Sequence, residues 1–184
     1  MSLYYGDDFY GERDLTGKPS AFRRLFQNNG SQGIVDASDL ILPATILSDS
    51  CYRNFFNSAP SSVDSELLYA PKILPALVLS TNCYQTFFQK CVKLITCPKL
   101  PATTLAESCY SDMFNACRVL EYPPELPATT LAESCYYRMF RTCYNLKVVP
   151  NLPATNVAIG CYYEMFAYCS SITSVPEILP ALTL

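Results

Sequence analysis

The sequence predicts an α/β repeat fold, a solenoid of about six stacked units of 26 residues with short concave strands and short convex helices. Three observations predict it. The stretch "LPATTLAESCYSDMFNAC", Leu100 to Cys117, returns almost unchanged as "LPATTLAESCYYRMFRTC", Leu126 to Cys143, at a distance of 26 residues. Within each copy the apolar residues fall at helical spacing, and after each second cysteine comes a short β-prone run closed by proline. A unit of this size cannot bury its apolar face alone, so the copies must stack.

The repeat organises nearly the whole chain. Clear units start at Leu42, Leu74, Leu100, Leu126 and Leu152, and a partial unit starts at Leu179. The spacing of 32 between the first two includes the added Ile73 and five further residues near "SSVDSELL", expected to bulge from the surface as repeat insertions do. Ile178 adds the one residue that makes the last interval 27. A worn unit covers 15–41: "AFRRLF", Ala21 to Phe26, aligns with "CYSDMF", and residues 1–14 form a lead-in. The domain assignment is therefore 1–14 and one elongated array over 15–184.

Each element follows from its residues. In the unit from Leu126, Cys135, Tyr136, Met139, Phe140 and Cys143 share one face of a helix of about 3.6 residues per turn. Glu133 and Ser134 precede it, as residue types that favour helix starts. The runs "LLYA", "LITC", "LEYP", "LKVV" and "ITSV" follow the helices as strands. Pro71, Pro98, Pro124, Pro150 and Pro176 stop them, because proline cannot donate to a ladder. Stacking then builds a leucine column (Leu94, Leu120, Leu146, Ile172), a phenylalanine column (Phe56, Phe88, Phe114, Phe140, Phe166) and a cysteine column (Cys51, Cys83, Cys109, Cys135, Cys161). Strands stack about 4.8 Å apart and helices about 8–10 Å, so the strand side would be concave. The expectation is a leucine-rich-repeat solenoid.

The pattern "MFxxCxxLxxxPxLPATxLxxxCYxxMFxxC" resembles the BspA-like leucine-rich repeats of bacterial surface proteins, related to the Treponema-type class with its "AFxxCxxL" signature. The resemblance covers about residues 15–184, with a longer unit and an extra proline before "LPAT". It implies a surface-exposed or secreted protein engaged in adhesion to host proteins or other cells. It implies no conserved chemical site.

Ten cysteines invite three readings. Disulfides are disfavoured if the columns ride on helices, whose spacing exceeds the roughly 7 Å limit between bridged Cα atoms. Zinc is disfavoured by the absence of histidine and of short Cys-x-x-Cys knuckles. Core filling by a compact apolar side chain remains, and Ala59 and Asn29 replace the second cysteine in two units. Cys97 stands outside both columns and is expected to be the most reactive thiol. The tyrosines Tyr52, Tyr84, Tyr110, Tyr136 and Tyr162, with Phe22 in the worn copy, read as a half-buried column with hydroxyls reaching water. Asp49, Glu107 and Glu133 read as solvated residues at helix starts.

Function is read from what varies. Leu68, Ile95, Glu121, Lys147 and Thr173 are the outward strand positions and differ in every unit, with Tyr69 and Tyr122 beside them. These seven are the candidate ligand-binding concave face, for a protein or glycan. The alternative is a structural spacer in a larger surface protein, which has no preferred face. No nucleophile elbow, phosphate loop or acid–base cluster points to an enzyme, and no cofactor or metal is expected. The net charge of −3 argues against nucleic-acid or anionic-membrane partners. No apolar run is long enough to span a membrane. The start lacks a signal-peptide core, and "LPALTL" stops inside a repeat, so an exported piece of a longer surface protein is expected rather than a cytoplasmic protein.

Overall fold

The structure, a computed structural model, describes residues 13–28, 33–58 and 64–176. The replaced cysteine positions Asn29 and Ala59, the insertion at Ser61 to Val63 and the partial unit from Leu179 lie outside these residues.

Consecutive units lie side by side in parallel register and are joined through three backbone strips. The first strip replaces the expected helices. Over 82–91 the backbone bonds close on the residue three back rather than four, and only at alternate residues: Gln85 to Asn82, Phe87 to Tyr84, Gln89 to Thr86 and Cys91 to Phe88. The intervening N–H groups point along the stack instead. Asn82, Tyr84, Thr86, Phe88 and Lys90 donate to the carbonyls of Glu107, Cys109, Ser111, Met113 and Asn115 in the next unit. The same five-bond pattern, at 2.8–3.0 Å, joins each neighbouring pair from 20–28 through 160–169. We call these segments turn coils.

Every fourth residue of a coil is left-handed, as at Asn82, Thr86 and Lys90 or Ser134, Arg138 and Thr142, with φ between 52° and 60°. That conformation costs an L-residue about 1–2 kcal/mol, and a β-branched threonine in it is an outlier. It persists because it turns each alternate N–H toward a carbonyl of the adjoining unit. In the last coil Gly160 takes the first of these positions, with φ 64°.

The coil still buries the face the sequence predicts. A period of four places positions 0, 4 and 8 in one row and 1 and 5 in the next, and Cys135, Tyr136, Met139, Phe140 and Cys143 are all buried. The rings form continuous stacks. Phe26, Phe56, Phe88, Phe114, Phe140 and Phe166 follow one another at 5.4–5.6 Å between centroids. Phe22, Tyr52, Tyr84, Tyr110, Tyr136 and Tyr162 do so at 5.2–6.0 Å.

The second strip follows the β-prone runs. It contracts to single parallel bridges such as Asp36 with Tyr69 and Val148 with Ser174, since proline ends each run within a few residues. Leu94, Leu120 and Leu146 behind it are fully buried. The third strip is the "LPAT" arm, where Asp14, Ile46 and Val78 bridge in series and Thr104 bridges Thr130. Pairing thus already begins within the lead-in, where Arg13 C=O accepts from Thr45 and Ile46.

Two expectations change with this geometry. Coils and strands are both spaced by backbone hydrogen bonds, so the width difference from which a concave strand face was derived is absent. Nor does helix spacing separate the cysteines. All ten are free, yet the coils that carry the two columns are joined by backbone hydrogen bonds, at a ladder spacing of about 4.8 Å that is within the Cα range a disulfide spans. Direction keeps them apart: parallel side chains on a ladder hold Cβ atoms about 4.8 Å apart, beyond the roughly 3.5–4.5 Å a disulfide requires.

Candidate functional site

The seven predicted positions fall on the second strip. Leu68 N–H donates to Val35 C=O and Ile95 N–H to Leu68 C=O, both at 2.8 Å. Lys147 N–H donates to Glu121 C=O and Thr173 N–H to Lys147 C=O. The row is therefore two ladder segments, one through Leu68 and Ile95 and one through Glu121, Lys147 and Thr173. Tyr69, Ile95, Tyr122 and Thr173 are exposed, whereas Leu68, Glu121 and Lys147 are half-buried.

Side chains on this row pair between units. Lys147 Nζ lies 2.6 Å from Glu121 Oε2 and 5.7 Å from the centre of the Tyr122 ring. Its hydrogen bond with Glu121 raises the ammonium pKa above its usual value. One register step back, Lys93 Nζ lies 2.7 Å from Glu66 Oε2. The row therefore presents a mixed surface of apolar, aromatic and internally balanced charged groups.

A hollow of about 460 Å³ opens beside Tyr122, lined by Pro123, Pro124, Pro127, Pro150 and Val148. A second, of about 380 Å³, continues it past Cys97, Pro98 and Pro101. Read from sequence, these prolines only end strands. Their recurrence a few residues apart in every unit is the signal that could have marked them as the wall of a groove.

A second variable surface lies on the coils and was missed. The two residues between Tyr and Met or Phe differ in each unit: Arg53–Asn54, Gln85–Thr86, Ser111–Asp112, Tyr137–Arg138 and Tyr163–Glu164. At the last pair of coils the rings of Tyr137 and Tyr163 stack at 5.2 Å, and Arg138 lies 4.7 Å above Tyr137. Arg138 and Arg141 share Glu164 Oε2 at 2.8 and 3.2 Å. Burial raises the Asp112 carboxyl above its usual range, against hydrogen bonds from Asn115 and Ser111 and the two arginine charges.

The cysteines and tyrosines are framework. The second cysteine of each coil donates from Sγ to a phenylalanine carbonyl of the preceding unit, as in Cys117 to Phe88 at 3.3 Å and Cys143 to Phe114 at 3.1 Å. Burial pushes the Cys51, Cys91 and Cys135 thiols up to about 12. Cys97 is half-buried, lies 3.7 Å from Tyr122 C=O, and also has its thiol pKa raised by desolvation, which works against the reactivity expected of it. The tyrosine hydroxyls do not reach water as expected: Tyr52, Tyr84, Tyr110 and Tyr136 are at most 2% exposed. Tyr84 Oη and Tyr110 Oη have no hydrogen-bond partner among the described residues.

Asp49, Glu107 and Glu133 are exposed, and each lends its carbonyl to the N–H of the preceding coil. Ser65 corrects the reading of the insertion, for it is buried and its Oγ accepts from Leu67 N–H. Among the described residues no three His, Cys, Asp or Glu side chains converge so as to hold a metal ion. Nor is any helix there long and apolar enough to cross a membrane. Neither a protein-family model, nor a curated protein, nor a solved structure matches this chain.

Proposed function

We propose that the chain is a leucine-rich-repeat-type solenoid of the BspA-like class, acting as a non-enzymatic interaction or adhesion module at a cell surface or outside the cell. Its ligand is a protein or glycan, received along the strand row and the proline-walled groove beside it. The observation that carries this reading is the division between rows. Leu94, Leu120 and Leu146 are constant and fully buried, while the column in front of them (Leu68, Ile95, Glu121, Lys147, Thr173) differs in every unit, with Ile95 exposed and the exposed Tyr69 and Tyr122 beside it. Exposed aromatic and branched apolar groups on a backbone held by hydrogen bonds can bury area with little ordering cost. A spacer would need only the buried columns.

The test is a binding screen of the array against extracellular-matrix proteins and glycans, beside a variant carrying Tyr69→Ser, Ile95→Ser and Tyr122→Ser. Binding by the native chain and its loss in a folded variant support the proposal. Equal signals from both favour the spacer.

A further inference from the structure

The strand strip is broken in mid-array, with described residues on both sides. The run 94–99 is tied to the unit before it by Ile95 N–H to Leu68 C=O, Lys99 N–H to Lys72 C=O and Leu74 N–H to Lys99 C=O. The run 120–125 is tied to the unit after it by Lys147 N–H to Glu121 C=O. Between these two runs no backbone bond is made. The sequence supplies the reason. Pro123 and Pro124 stand where the earlier run has Cys97 and Pro98, so the next ladder donor after Glu121 is missing and Tyr122 is constrained by the ring that follows it. Glu121 N–H and Tyr122 N–H have no acceptor, and Ile95 C=O and Cys97 C=O no donor, among the described residues. One polar link crosses the break, from Cys97 Sγ to Tyr122 C=O at 3.7 Å.

The surroundings of the break combine ring faces, free main-chain groups and balanced charge. The hollow past Cys97 and the hollow beside Tyr122 meet there, sharing Pro124, Glu125 and Pro127. Tyr122 is 59% exposed and Ile95 52%. Lys147 is held by Glu121, while Lys99 and Glu125 bring one charge of each sign to the hollow. A peptide strand cannot enter, because it would part the two runs by a further spacing of about 4.8 Å. The coils of the same two units are held by Tyr84 N–H to Cys109 C=O at 3.0 Å and Phe88 N–H to Met113 C=O at 2.9 Å, and their arms by Leu105 N–H to Thr130 C=O at 2.9 Å. A sugar lies across the break rather than inside it. Its hydroxyls both donate and accept, which suits unpaired N–H and C=O groups side by side, and its C–H face covers an aromatic ring.

We infer that this break is a glycan-binding site, taking a neutral oligosaccharide stacked on Tyr122 with its hydroxyls on the free main-chain groups of Ile95, Cys97 and Glu121. The inference rests on the strand-row reading and narrows its ligand to an uncharged sugar. A sulfated or uronic chain finds no net positive charge there.

Native gels cast with a soluble neutral polysaccharide test it, using hydroxyethyl cellulose, a mannan and a galactan in turn. Heparin gels serve as the anionic comparison and immobilised collagen as a protein probe. The chain should be retarded in at least one neutral gel and not by heparin. Tyr122→Ala should abolish that retardation at an unchanged melting temperature, since the side chain is exposed. Tyr69→Ala removes the other exposed tyrosine of the row, where the backbone is paired, and should leave retardation intact. Retardation that survives Tyr122→Ala, or is lost equally in both variants, overturns the break as the sugar site. So does retardation by heparin in place of the neutral gels. Collagen capture without neutral retardation overturns it too, while leaving the strand row as a ligand surface. A chain that engages none of these probes fails both readings.

Discussion

Ala116 distinguishes a turn coil from a helix by the sign of one substitution. In an α-helix, replacing a half-buried alanine by glycine costs about 1 kcal/mol. In the coil Ala116 has φ 63°, and its N–H is fixed on Arg141 C=O at 2.9 Å. Glycine relieves about 1–2 kcal/mol of left-handed strain there and returns about 0.4–1 kcal/mol through the freer unfolded chain. With a few tenths lost for the half-buried methyl, Ala116→Gly should stabilise by about 0.5 kcal/mol, which raises Tm by about 1–2 °C for a chain of this size. Thermal and urea melts followed by circular dichroism measure it. A fall of about 2–4 °C in Tm is the helical outcome and would refute the coil.

Phe140→Ala should be far worse than Arg141→Ala. Phe140 is fully buried between Phe114 and Phe166, and its loss opens a cavity worth about 3–5 kcal/mol, while Arg141 lies on the outer side; melts of equal depression would place the buried face wrongly. Tyr110→Phe should raise stability by about 1 kcal/mol, since it removes a buried hydroxyl without a partner and Phe22 already occupies that column; a loss of stability would show that the hydroxyl is satisfied. Thiol reagent should modify Cys83, Cys109, Cys117, Cys135 and Cys143 only on unfolding, with no reductant needed, and disulfide mass shifts in the native chain would contradict the parallel-rung argument. Alkali should unfold the array. Unfolded thiols lose protons near 9.0 while folded Cys51, Cys91 and Cys135 hold theirs to about 12, so stability present below pH 9 declines toward 12 at about 1.4 kcal/mol per pH unit for each thiol. A melting temperature flat from pH 8 to 11 would refute it.

The repeat register of the pairing and the buried columns were legible in the sequence. Each is a matter of which positions repeat and which are apolar. The coil was not. Over nine residues a period of four and one of 3.6 select the same five positions, so Cys135, Tyr136, Met139, Phe140 and Cys143 fit either. What separates the two is backbone hydrogen-bond direction, which leaves little trace in composition. The trace it does leave is the series Ser50, Asn82, Ser108, Ser134 and Gly160, where four of the five left-handed positions hold serine or asparagine and the last holds glycine. Arg138, Thr142 and Tyr168 share the conformation without any such preference, so the signal fades along the coil.

Strain and stacking explain one another in this fold. A coil with three left-handed residues could not hold that shape alone, because nothing within it accepts the N–H groups it turns outward. The next coil accepts them only if it repeats the same alternation in register. That requirement accounts for copies so nearly alike in their framework and free at the two positions between Tyr and Met or Phe. It also makes the array directional: each junction has a donor side and an acceptor side, and no two-fold pairing of identical coil edges can satisfy both. The strand row differs, because its backbone is joined from Val35 through Ile95 and from Glu121 through Thr173, so along both segments a ligand of the kind proposed would be held by side chains.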